Sequence, residues 1–79
     1  MKVRVHYFAL LREQRGLGDE ELSSSAATAE DLYRALQAEH GFTLPLERLK
    51  VVVNEEFSVW NHRLSDGDRV AFIPPVAGG

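Results

Sequence analysis

The stretch Ser65-Asp-Gly-Asp-Arg-Val-Ala-Phe-Ile-Pro-Pro75 contains a turn, a strand and a strand stop in direct succession. Its Asp-Gly pair is typical of a tight turn. From residue 69 to residue 74, Val70 and Phe72 alternate with other residues, which predicts a strand with one buried face. Pro74 and Pro75 cannot donate a hydrogen bond to a neighbouring strand, so we expect sheet pairing to end there.

The beginning of the chain has a second alternating pattern. Between Lys2 and Phe8, Val3, Val5 and Tyr7 point to one side and the intervening residues to the other. Period-two alternation with β-branched residues predicts a half-buried strand. We therefore expect two strands, one near each end of the chain, with Val3, Val5, Val70 and Phe72 on the same covered face.

A helix is predicted between these strands, over residues 28–40. Thr28 and Asp31 have the spacing of a capping box. Apolar residues follow at helical spacing and predict one apolar stripe, made of Ala29, Leu32, Tyr33, Ala35 and Leu36. Gly41 can take the left-handed conformation that ends helices.

Shorter elements complete the prediction. They are a helical turn over residues 9–15 ended by Gly16 and Gly18, an edge strand over 20–25, a connection over 42–49, a strand over 50–54 and a short strand over 57–60. With one helix on one face, this order predicts a two-layer α+β domain with a mixed sheet of four to five strands. If the connection is right-handed, the first and last strands run parallel at the centre of the sheet. This is the β-grasp (ubiquitin-like) arrangement, expected over residues 1–75, with residues 76–79 as a flexible tail.

Composition excludes several function classes. A domain of 79 residues buries roughly 60% of its unfolded surface, which leaves little room for a substrate cavity. We therefore expect a carrier or binding module, not an enzyme on its own. The net charge of −3 without a basic stripe argues against nucleic-acid binding. The absence of cysteine excludes disulfides and thiolate chemistry. The three histidines lie on different elements, so no metal site or bound cofactor is expected.

No apolar run approaches the roughly 18 residues that a membrane span needs, and the strand pattern begins at once. From these two observations we expect no membrane association, no signal peptide and a cytoplasmic protein.

The sequence ends in Val76-Ala-Gly-Gly79, and this segment has the features of a reactive arm. Gly78 and Gly79 lack side chains, so they can enter a channel too narrow for a Cβ atom. The two prolines before them stiffen the root of the arm. A partner can adenylate a terminal carboxylate, and a sulfur donor can then convert it to a thiocarboxylate. The alternative is an inert terminus of small residues, which is common.

The sequence resembles the small subunit of molybdopterin synthase. The resemblance lies in Phe8-Ala-Leu-Leu-Arg-Glu13, Val53-Asn-Glu-Glu56 and residues 64–79, and it covers nearly the whole chain. It implies activation by an ATP-dependent, ubiquitin-E1-like adenylyltransferase. It also implies a tail inserted into a larger synthase subunit, where Gly79 as a thiocarboxylate supplies sulfur to a pterin precursor. Ala77 stands where relatives often have Ser or Thr.

Several exposed residues are predicted to contact the partner. Strand parity places Phe8 and Ile73 on the open face, and Phe57 is expected to join them; the resemblance places these positions at the large-subunit contact. The partner-binding set that we predict is Phe8, Arg12, Phe57, Ile73, Pro74, Pro75, Val76 and Ala77. For Arg12, an ordinary solvated charge is about as good an interpretation.

Two other functions stay open. One is a sulfur carrier for thiamine or tRNA thiolation, or a ubiquitin-like protein modifier attached through Gly79. The other is an interaction module whose tail is inert.

Overall fold

The computed structural model describes residues 1–75, and the predicted tail over residues 76–79 lies outside them. Two helices, a short 3₁₀ turn and five strands follow one another along the chain. They are β1 (Lys2–Tyr7), α1 (Ala9–Arg15), β2 (Asp19–Ser23), α2 (Ala29–His40), the 3₁₀ turn (Leu46–Arg48), β3 (Lys50–Val53), β4 (Glu56–Phe57) and β5 (Arg69–Ile73).

The five strands form one mixed sheet in the order β2-β1-β5-β3-β4. The central strands β1 and β5 are parallel, with Val5 opposite Val70 and Tyr7 opposite Phe72. All other neighbours are antiparallel. The predicted two-layer β-grasp fold with parallel first and last strands is confirmed.

The core lies between α2 and one face of the sheet. Val3, Val5, Val70 and Phe72 are all at most 1% exposed, as their parity predicts. The ring of Phe72 stacks on Trp60 and packs edge-on against Tyr33 of the helix, with centroids 5.9 and 5.1 Å away. The opposite side of the sheet carries no helix in the described part of the chain, and we call it the open face.

Helix α2 begins and ends where the sequence predicts. The Thr28 side chain accepts a hydrogen bond from Asp31 N, and Gly41 ends the helix at φ 71°. The prediction that Ala35 belongs to the apolar stripe is wrong, because this residue is exposed. The stripe follows the helical repeat through Ala29, Leu32, Tyr33 and Leu36, and position 35 lies off it.

The strand predicted over residues 57–60 is too long, since β4 consists of Glu56 and Phe57 alone. The next residues leave the sheet edge to cap α2. Trp60 O accepts a hydrogen bond from Glu30 N at 2.9 Å, and His62 O accepts one from Ala29 N at 3.1 Å. These bonds satisfy two of the backbone donors that a helix N-terminus leaves free, and they bring Trp60 onto the core.

Other boundaries shift by one or two residues. Strand β1 stops at Tyr7 instead of Phe8, and β2 runs over Asp19–Ser23 instead of 20–25. The predicted turn at Ser65–Asp68 is present, with Gly67 at φ 88°. No helix among residues 1–75 is long and apolar enough to cross a bilayer.

Candidate functional site

The root of the tail lies at the centre of the sheet. Strand β5 is paired on both sides and ends at Ile73, which faces Lys50 of β3. Pro74 is half-buried and Pro75 is exposed. The residues after Pro75 therefore start from a fixed point on the middle strand. The predicted site residues Val76, Ala77, Gly78 and Gly79 lie outside the described part of the chain.

An apolar patch on the open face leads to this root. Phe57 is 75% exposed and pairs with Val52, which in turn pairs with Ala71 of β5. Directly opposed residues of neighbouring strands project to the same side. Ile73, two residues after Ala71, continues the row. The structure thus brings Phe57 and Ile73 onto one surface, as parity suggests.

Phe8 reaches the same end of the sheet. It follows β1, lies next to α1 as the N-cap residue and is 45% exposed. Its backbone is extended, with φ −130° and ψ 150°, so its side chain follows His6 in the alternation. Because β1 and β5 are parallel, Phe8 and Ile73 lie at the same end of two adjacent strands. We call Phe8, Val52, Phe57, Ala71 and Ile73 the open-face patch.

Helix α1 follows β1 and carries Arg12. Arg12 is exposed, and its guanidinium lies against Gly18, where an added Cβ would be 3.4 Å from Arg12 Cζ. Arg12 makes no ion pair with residues 1–75. Its charge is therefore available to a partner carboxylate, although solvation alone accounts for an exposed arginine equally well.

Polar contacts hold α1 in place. Gln14 donates to Thr43 Oγ1 at 2.9 Å and accepts from Thr43 N at 3.3 Å. Arg15 donates from Nε and Nη2 to the two carboxylate oxygens of Glu20, at 2.7 and 2.8 Å. A seven-residue helix is not stable alone, so these ties and the buried Leu11 fix its position.

Tyr7 joins the Arg15–Glu20 pair and forms a cluster with it. Its hydroxyl donates to Glu20 Oε2 at 2.7 Å. The Arg15 hydrogen bonds lower the pKa of Glu20 below its ordinary value, although burial opposes them. Burial and the neighbouring Glu20 carboxylate raise the pKa of Tyr7. The cluster is an ion pair with both partners satisfied, so it serves α1 and β2 as a tie and offers no free nucleophile or base.

Sequence reasoning missed the polar cluster that fixes the start of β5. Asp68 is 9% exposed; its carboxylate accepts from Asn54 Nδ2 at 2.9 Å and from Ser65 N at 2.8 Å. Asn54 Oδ1 accepts from Arg69 N at 2.9 Å. The Asp-Gly turn and the Asn after β3 were visible in the sequence, but their pairing depends on β3 lying next to β5.

Two further features bear on chemistry. A concavity of about 250 Å³ on the open face has His6, Val52, Arg69 and Ala71 among its lining residues. No group of three or more His, Asp or Glu residues among positions 1–75 has the geometry of a metal site. Within residues 1–75 the structure thus shows an exposed apolar patch, a concavity on the same face and a last strand that ends at Ile73.

Comparison with known proteins identifies the family of this chain. The profile described as "ThiS family" matches residues 5–79. The chain belongs to the ThiS family. It is 38% identical to the molybdopterin synthase sulfur carrier subunit of Escherichia coli K12, over 98% of this chain and 99% of that protein.

Two solved structures extend the comparison. The first comes from a complex of subunits 1 and 2 of the Helicobacter pylori molybdopterin-converting factor: TM-score 0.69, 28% identity and full coverage of both chains. The second is SAMP1, a small archaeal modifier protein of Haloferax volcanii: TM-score 0.79, 26% identity and full coverage of both chains. This ThiS-family chain therefore has the fold of both carriers and modifiers.

Proposed function

We propose that this chain is the sulfur carrier and small subunit of a molybdopterin synthase. The observation that carries the proposal is its end-to-end similarity to the sulfur carrier subunit of E. coli, at 38% identity. The geometry supports it, because the central strand β5 ends next to an exposed apolar patch, and Pro74-Pro75 and then Gly78-Gly79 follow that strand in the sequence. On its own the chain is not an enzyme; it contributes the sulfur-donating arm to a two-subunit sulfurtransferase.

The proposed chemistry takes place at the Gly79 carboxyl group. An E1-like adenylyltransferase joins this carboxylate to AMP from ATP and releases pyrophosphate. Sulfur at the oxidation level of sulfide, supplied by a donor, then attacks the acyl carbon; AMP leaves and a thiocarboxylate remains. In the synthase, the thiocarboxylate sulfur forms a bond to a carbon of the pterin precursor as that carbon loses an oxygen substituent. Water then cleaves the acyl–sulfur bond, which restores the carboxylate. The chain has no cysteine, so no thiol side chain can hold the sulfur instead.

The large subunit is the partner that this proposal requires. The Helicobacter pylori structure is a protein–protein complex of subunits 1 and 2, and this chain aligns with one of its chains along its whole length. On this chain the open-face patch supplies the apolar area that interface cores use, and Arg12 supplies a rim charge. We place both the patch and residues 74–79 against the large subunit. ATP belongs to the activating partner, and we assign the carrier no bound cofactor. We place the protein in the cytoplasm.

Mass spectrometry of the native protein tests the proposal. Purified from cells that make molybdenum cofactor, a fraction of the chain should end at Gly79 with one oxygen replaced by sulfur. Incubation with the large subunit and precursor should return that fraction to the carboxylate. A chain that ends elsewhere, or never gains sulfur, contradicts the proposal.

A second candidate function is protein modification, which the similarity to the archaeal modifier SAMP1 favours. In that case Gly79 would be found in isopeptide bonds to lysines of other proteins. Denaturing purification followed by peptide mapping distinguishes the two functions: a modifier leaves a Gly-Gly remnant on target lysines, whereas a dedicated carrier co-purifies with a large subunit.

A further inference from the structure

The sheet has an incomplete edge at β3, on the side that faces away from β5. Strand β4 pairs only with Val52 and Val53, so the first half of β3 has no regular neighbour on that side. A groove of about 410 Å³ lies there, lined by Leu49, Lys50, Val51, Phe57, Ser58, Val59 and Trp60. Volumes of this size are typical of ligand sites.

Two backbone groups at this edge lack a partner among residues 1–75. Ser58 N donates to Val51 O at 2.9 Å, but the reciprocal bond from Val51 N to Ser58 O is not formed. Leu49 O likewise accepts no hydrogen bond from the described residues. In an antiparallel ladder, the backbone N–H and C=O groups of successive residues point to opposite sides of the strand. The backbone groups of Lys50 and Val52 point to β5, so those of Leu49 and Val51 point to the groove. The groove therefore has one donor and one acceptor at the i, i+2 spacing that a neighbouring strand requires.

The side chains around these two groups supply apolar contact area and a positive charge. Val59 is 62% exposed and Phe57 is 75% exposed, and they form an apolar rim. Trp60 forms a wall that is fixed by its stacking on Phe72. Lys50 is exposed and makes no ion pair with residues 1–75. The groove thus combines backbone pairing groups, apolar contact area and one available positive charge.

We propose that this groove binds an extended segment of a partner protein by β-strand addition, with a carboxylate side chain opposite Lys50. Main-chain bonds to Leu49 O and Val51 N hold such a segment, and the rim of Phe57 and Val59 with the Trp60 wall contacts its apolar side chains. The opposite edge of the sheet is less suited, because β2 has the acidic run Asp19-Glu-Glu21, and charged edges resist strand pairing. The inference does not depend on the sulfur-carrier role.

The probe is a capped peptide, Thr-Val-Glu-Val-Thr, titrated into the ¹⁵N-labelled full chain. The amide signals of Val51 and Ser58 and the indole signal of Trp60 should shift, and hydrogen exchange of Val51 N should slow. The same peptide with Lys in place of Glu should bind roughly two- to fivefold more weakly, as expected for an exposed ion pair. N-methylation of the three central residues should abolish the shifts, since it removes the donors to Leu49 O.

The variant Lys50→Glu is the matched control. It should reverse the preference, so that the Lys peptide binds more tightly than the Glu peptide, while the thermal unfolding midpoint stays close to that of the wild type. The inference is overturned if no peptide shifts these signals, if the shifts lie on β2, or if the N-methylated peptide binds equally well. Shifts that depend on protein concentration without peptide would also overturn it, because they identify a second copy as the occupant.

Discussion

Replacement of Phe57 by Asp should weaken binding of the large subunit strongly and leave the fold intact. Phe57 is 75% exposed and lies on the two-residue strand β4, so its removal costs the folded chain little. Phe57 should contribute more free energy to partner binding than to folding. A Phe side chain buries on the order of 150–250 Å² when covered. The exposed share of Phe57 corresponds to roughly 150 Å², or about 4 kcal/mol as an upper limit at about 25 cal/mol per Å².

Part of this free energy is spent on ordering the interface. We therefore expect a loss of at least about 2 kcal/mol, which is roughly a 30-fold increase in Kd. Calorimetric titration with the large subunit measures it. The control is Ala35→Asp, which adds the same charge on the exposed side of α2 and should change Kd less than about twofold. Equal Kd values for both variants and the wild type, with unchanged thermal midpoints, would refute the placement of the interface on the open-face patch.

Three further predictions test other parts of the molecule. Glu55 has φ 72° in the two-residue turn between β3 and β4, so Glu55→Gly should raise the free energy of unfolding by about 0.5–1 kcal/mol in chemical denaturation; a lower value would show that the turn is not strained. Glu20→Gln should cost about 1 kcal/mol near neutral pH through the weakened Arg15 bond. Because the pKa of Glu20 is lowered in the folded state, that difference should shrink as the pH falls below roughly 4, and a pH-independent difference would contradict the ion pair. Deletion of Gly78 and Gly79 should leave the melting curve and most of the partner affinity unchanged but abolish sulfur delivery, so product formation by the truncated chain would disprove the proposed role of Gly79.

The sequence predicted the layers of this fold because they depend on local periodicity. Alternation in residues 2–8 and 69–74, and helical spacing from Ala29 to Leu36, identify the buried faces directly. The short strand β4 was predicted too long because Val59 and Trp60 have strand-like side chains. These residues leave the sheet because a distant element requires it: the backbone carbonyls of Trp60 and His62 accept hydrogen bonds from the N-terminus of α2. Local propensity does not contain that information.

In the candidate site, too, some features were predictable from the local sequence pattern and others were not. Parity alone placed Phe8 and Ile73 on the open face, and the structure brings them to one end of adjacent strands. The Asn54–Asp68 cluster and the Gln14–Thr43 pair join residues that are 14 and 29 positions apart, so only the packed fold shows them. Both sets of hydrogen bonds hold elements in place: the first holds the start of β5 and the second holds α1.

The position of β5 has a consequence for how partners share this carrier. Strand β5 is bonded to β1 on one side and to β3 on the other, so a partner cannot draw residues before Pro74 out of the sheet without breaking two ladders. Only the residues after Pro75 remain to reach a reaction centre, and four residues span at most about 14 Å. Any partner that acts on Gly79 must therefore place its reaction centre close to the end of β5, next to the open-face patch. The proposed activating enzyme and the proposed large subunit cannot both occupy that position, so we expect them to bind in turn. Competition between the two proteins for the same chain, measured by displacement of a labelled carrier, tests this; simultaneous binding in a ternary complex would show that the two partners use separate surfaces.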